Sequence, residues 1–135
     1  TEVYARPASL FVAGFIGSPP MNFTPADEAP ALAAMAGHAG RDDVIGLRPE
    51  ALQRDADGPL SLAVRVVEHL GATVNAHGTL SESATPVIAS LPDLDAPAPG
   101  ETVRFSVDPA HLHVFDAATG ARRDAAAPAR AAVTA

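Results

Sequence analysis

No lysine occurs in this 135-residue sequence, and all nine basic residues are arginine. A phosphate-cradling Gly-rich loop needs a Lys followed by Ser or Thr, and the only Gly-rich neighbourhood, Gly37-His-Ala-Gly40, has neither that spacing nor the hydroxyl. The chain by itself is therefore not a P-loop nucleotide hydrolase. Cysteine is also absent, which excludes a disulfide framework and thiolate metal sites. Aromatic residues are scarce, Tyr4 and five Phe making up 4% of the chain, so a core must come mostly from Val, Leu, Ile and Ala. Sixteen acids against nine bases give a net charge of -7. A single-stranded nucleic-acid surface needs a basic groove with stacking platforms, so nucleic acid is not an expected partner. No apolar run approaches the roughly 18 to 20 residues that span a bilayer, and the N-terminus lacks the basic-then-apolar layout of a signal peptide. Any link to a membrane is expected to run through a partner protein.

The chain is one domain's worth of sequence, and its 13 Pro and 10 Gly favour short strands and turns over long helices. Leu10, Phe11, Val12, Phe15 and Ile16 place apolar residues on one side of a short helix. Gly17-Ser-Pro-Pro20 stops it, because Pro19 and Pro20 offer no amide donor. Such a helix cannot bury itself and is expected to be the last helix of a preceding domain.

From Thr24 to Asp43, Asp27 and Glu28 suit a first helical turn, and Ala31 to Ala36 fits a short helix or a loose loop anchored by Leu32 and Met35. Val44-Ile-Gly-Leu47 reads as a strand ending at Arg48-Pro49. Alternation at Leu60, Leu62, Val64 and Val66 marks a half-buried strand, and Val67, following with no polar gap, suggests a bulge. Further strands are expected at Thr73 to Leu80, Val87 to Leu91, Val103 to Val107 and Leu112 to Phe115. Short strands at this spacing point to a sandwich or barrel. His111 and His113 would share a face of the last strand and could meet one cation, although no further ligand is placed by the sequence. Glu68 and Asp116 are the carboxylates that acid-base work would use, with solvated turn positions as the plainer reading. Asp116-Ala-Ala-Thr-Gly120 is a turn with Gly at a positive φ, and the Ala-rich, Pro-broken stretch 121–135 is expected to be a disordered tail.

Four phrases, "FVAGFIGSPPMNF", "GLRPEAL", "VRVVEHLGAT" and "HLHVFDAATG", stand in an order and spacing that resembles the C-terminal regulatory region of ATP-binding subunits of bacterial carbohydrate importers. These are ABC transporter ATPases of the maltose and glycerol-3-phosphate type, and the region is a TOBE domain. Between Asn22 and Arg48 the chain spends fewer residues than that family usually does. The resemblance implies a mainly β, OB-like small barrel with a short N-terminal helix and a flexible C-terminal tail. Residues 1–20 would be the terminal helix and linker of an ATPase domain, 21–120 the TOBE domain and 121–135 the tail. It implies a non-catalytic regulatory and dimerisation role in sugar or related solute uptake, with an oxyanion- or small-ligand-binding module as the alternative. Phe15, Ile16, Ser18, Pro19, Met21, Asn22, Arg48 and Glu50 would lie at the interdomain or dimer interface. No cofactor is expected in this chain, ATP and Mg belonging to the ATPase domain. The implied partners are a second copy, that ATPase domain, membrane permease subunits indirectly and a cytosolic regulator, at the inner face of a bacterial membrane.

Overall fold

Two antiparallel sheets share one apolar core. The structure, a computed structural model, describes residues 20–37, 40, 42–81 and 83–123. Strands β1 (Asn22–Pro25), β2 (Asp43–Leu47), β8 (His113–Asp116) and β9 (Arg122–Arg123) form a sheet in the order β1-β2-β8-β9. The second sheet has the order β3-β7-β4-β5-β6, from β3 (Gln53–Arg54), β4 (Leu60–His69), β5 (Thr73–Leu80), β6 (Pro86–Pro92) and β7 (Thr102–Ser106). This is the mainly β, OB-like body that the sequence led us to expect.

Alternation decides which side of each strand faces inward. Leu62, Val74, Ala76, Ala89 and Phe105 are fully buried in the five-stranded sheet, and Ile45 and Leu47 of β2 join the same core. Helix α1 (Pro30–Ala36) lays Leu32, also fully buried, onto that core, with Met35 partly buried beside it. At seven residues it is too short to stand alone, so docking holds it and Gly37, at φ 81°, ends it. On the other face of the four-stranded sheet, Met21, Phe23 and Phe115 form a second small cluster, with the two rings edge to face at 6.1 Å.

The expected bulge lies in β4, and the inserted residue is Arg65: Val64 stands opposite Gly78, whereas Val66 stands opposite His77. Gly78 is required there, because a Cβ would run into the Ala63 carbonyl. Three strands were not anticipated from the sequence. β1 is only four residues long, with its polar residues on the buried side, and pairs with β2 across α1, in the register Asn22↔Leu47 to Pro25↔Val44. β3 is a two-residue pairing with β7. β9 corrects the start of the expected tail: Arg122 and Arg123 pair with Phe115 and Val114 because the Asp116–Gly120 turn, with Gly120 at φ 78°, folds the chain back onto β8. The expected N-terminal helix and the rest of the tail lie outside the described residues.

Candidate functional site

Of the residues expected at an interface, Phe15, Ile16, Ser18 and Pro19 lie outside the described residues. The structure brings the other four together at the seam between the sheets. Asn22 begins β1 opposite Leu47, the last residue of β2, so Arg48 and the turn at Pro49–Ala51 follow directly beside it. The Asn22 side chain donates from Nδ2 to the Ile88 carbonyl at 2.8 Å and accepts the Ile88 N–H at Oδ1, also at 2.8 Å. A carboxamide used this way replaces one residue of a strand, and it ties β1 to the edge strand β6. Asn22 and Met21 are buried within their own protomer, as is Arg48, and Glu50 is the exposed member of the four.

A second feature forms around the Arg65 bulge. Arg65, Val66, Glu68, His77, Thr79 and Pro86 line an open groove of about 660 Å³ on the outer side of β4, β5 and β6. His77 Nε2 stands 3.3 Å from Glu68 Oε1, and at the nearby β4–β5 turn His69 Nδ1 stands 3.5 Å from Asp93 Oδ1. Val66 and Leu70 are exposed on the same strand and turn. A groove of this kind, open to water with charges of both signs over Val and Pro, suits contact with another chain. The only sequence signal for it is the Val66-Val67 doublet, which breaks the alternation of β4. The groove itself comes from three strands meeting.

The remaining chemical candidates are separated by the fold. His111 falls in the exposed turn Pro109–His111, which Asp108 caps by accepting the Ala110 N–H at 2.9 Å. His113 is buried in β8 with Nδ1 2.8 Å from Arg122 Nη1. The expectation that the two imidazoles share a strand face is thus corrected: the turn takes His111 out of the strand. No group of three or more His, Asp or Glu side chains that could hold a metal ion occurs among the described residues. Glu68 and Asp116 stand on different sheets, and Asp116 Oδ1 accepts the Ala118 and Thr119 amides at 2.8 and 3.0 Å. Its side chain closes a turn.

A curled antiparallel body with a polar seam and an open outer groove is a small OB-like β domain, and comparison with known families gives it a place. The chain belongs to the TOBE domain family, whose model matches residues 45–115, from β2 to β8. It is similar to the sn-glycerol-3-phosphate import ATP-binding protein UgpC of Ruegeria sp. (strain TM1040), 46% identical over 129 residues. That alignment takes in 90% of this chain and 37% of the relative. The UgpC of Paracoccus denitrificans (strain Pd 1222) is 42% identical over 131 residues, with the same 90% and 37% coverage. The sulfoquinovosyl glycerol transport ATP-binding protein SmoE of Agrobacterium fabrum (strain C58 / ATCC 33970) is 38% identical over 136 residues, covering 87% of this chain and 37% of the relative. The chain thus spans a little over a third of the length of these curated relatives.

Proposed function

We propose that this chain is the non-catalytic regulatory and dimerisation domain of an ATP-binding subunit of an ABC importer for glycerol-3-phosphate, sugars or related solutes. The observation that carries the reading is the agreement along nine-tenths of the chain with import ATP-binding proteins, around a TOBE match that spans the core strands. ATP and Mg bind to the subunit's ATPase domain, which energises transport through membrane permease subunits, and the module works on the cytoplasmic side. No described helix is long and apolar enough to cross a membrane. The seam from Met21 to Glu50 lies where the chain enters the module. There Asn22 couples β1 to β6, so a displacement of residues 1–20 would be transmitted to both sheets at once. Glu50 is the exposed residue of this seam, on the side that a cytosolic regulator or the ATPase domain would meet.

The test is expression of the gene's full reading frame with its permease subunits, with and without residues 21–123. Without the module, the ATPase domain is expected to keep nucleotide binding, while the subunits separate between turnovers and solute import falls. ATP hydrolysis by the 135-residue chain alone would overturn the reading, and so would unchanged import and subunit association after deletion.

A further inference from the structure

The two halves of β4 have different neighbours. Up to Ala63 it lies between β5 and β7, and its register with β7 ends at Ala63↔Thr102. The last bonds on that side are from the Val64 N–H to the Glu101 carbonyl, 2.9 Å, and from the Gly100 N–H to the Val64 carbonyl, 2.8 Å. Beyond the bulge, residues 65–69 have only β5 beside them among the described residues. The Leu70 N–H donates to the Thr73 carbonyl at 2.9 Å and closes the hairpin, from which the register runs His69↔Val74, Glu68↔Asn75, Val67↔Ala76 and Val66↔His77. Bonded and non-bonded pairs alternate in an antiparallel ladder. Val66 and Glu68 therefore exchange backbone bonds with β5, and the N–H and C=O groups of Val67 and His69 point away from it. Arg65, Val66, Glu68 and His69 are exposed and Val67 is half-buried. The edge carries no Pro, and its guarding charges, Arg65 and Glu68, are of opposite sign, which leaves it open to a strand of complementary pattern.

We propose that this edge pairs with the same edge of a second copy, antiparallel about a two-fold axis through Val67, so that two five-stranded sheets become one. The proposal rests on the dimerisation reading above and gives it a surface. At that register Val67 meets its twin with both backbone groups of each bonded, and His69 lies opposite the partner's Arg65. Val66 faces the partner's Glu68, and because Arg65 and Val66 share the outer side at the bulge, each guanidinium also reaches the partner's Glu68. The charge pattern selects the occupant: a strand with Arg65 at one end and Glu68 near the other complements itself when reversed. The twinned Val67 side chains extend the inner core across the axis, and the two grooves meet on the outer face.

Sedimentation and amide exchange on the chain test this together. Exchange at Val67 and His69 is expected to slow at least about tenfold between dilute and concentrated samples, while Val66 and Glu68, bonded to β5, stay protected throughout. Arg65→Glu or Glu68→Arg alone is expected to raise the dimer dissociation constant at least about tenfold, and the double exchange to restore most of it. A dimer that Arg65→Glu leaves unchanged, with Val67 still exchanging fast, overturns the edge pairing and leaves dimerisation standing. A monomer at every concentration overturns both. Protection at Val67 and His69 that is independent of concentration, or that arises only on adding another polypeptide, also overturns self-pairing.

Discussion

Asn22 and Gly78 hold positions at which the backbone of another strand sets the requirement. Asn22 satisfies both main-chain groups of Ile88 from a site only 7% exposed. Truncation to Ala leaves that N–H and C=O without partners where water has little access, and is expected to cost about 2–3 kcal/mol in urea unfolding. Asn22→Asp is expected to be no better than Ala, since a carboxylate keeps the acceptor for the Ile88 N–H but sets a second oxygen against the Ile88 carbonyl. Equal stability of Asp and Asn would show that the pairing does not hold β1 in place. Gly78→Ala drives a methyl into the Ala63 carbonyl, a backbone group just before the bulge. Since main chain on both sides must move, a loss of at least about 2 kcal/mol is expected in the same measurement, the upper part of the overpacking range. A mild effect would mean that the bulge is looser than the β4–β5 register implies.

Among the elements, β3 shows which forces hold a minimal strand. Its two residues pair with Phe105 and Ser106 of β7, and Arg54 reaches the Asp95 carbonyl at 2.9 Å and Glu101 Oε2 at 3.0 Å. Both side chains of the ion pair are more than a third exposed, so Arg54→Ala is expected to cost less than about 1 kcal/mol. Phe105 is fully buried, and Phe105→Ala is expected to cost about 3–5 kcal/mol from the loss of buried area and the cavity left behind. Thermal unfolding of the two variants checks the ratio; comparable losses would mean that charge rather than burial fixes β7. The same difference in burial governs what was legible in the sequence. β4 to β7 announce themselves because one side of each is packed on the core, which imposes a period of two on Leu60, Leu62 and Val64, and on Val103 and Phe105. β1 reads Asn-Phe-Thr-Pro, four residues in which the polar Asn22 and Thr24 take the buried side and Phe23 and Pro25 the half-buried one, so its short alternation points the wrong way for a core strand. Its strand state comes from β2, about twenty residues on. The seam was half legible: motif order drew notice to Met21, Asn22, Arg48 and Glu50, but nothing local says that the Asn22 amide bonds to Ile88. His111 was misplaced because the Pro109 turn interrupts the strand just before it.

For the whole molecule, net charge opposes the proposed pairing and salt should reveal it. Each chain carries -7, and a compact body of this length has a diameter of roughly 35 Å, so two in contact repel by roughly 6 kcal/mol if unscreened in water. The Debye length is about 30 Å at 0.01 M and about 8 Å at 0.15 M, which leaves roughly 2 kcal/mol of repulsion at the lower salt and a negligible amount at the higher. The two Arg65–Glu68 contacts are exposed and worth at most about 1 kcal/mol each, and salt weakens them only in part at contact distance. The long-range term therefore changes more than the local one, and self-association is expected to tighten roughly tenfold from 0.01 to 0.15 M salt. Arg65→Glu, which makes each chain two charges more acidic and reverses the local contact, should steepen that dependence. Sedimentation equilibrium at the two ionic strengths reads both slopes, and a wild-type dimer that loosens with salt would assign its stability to ion pairs rather than to the paired backbone and the twinned Val67.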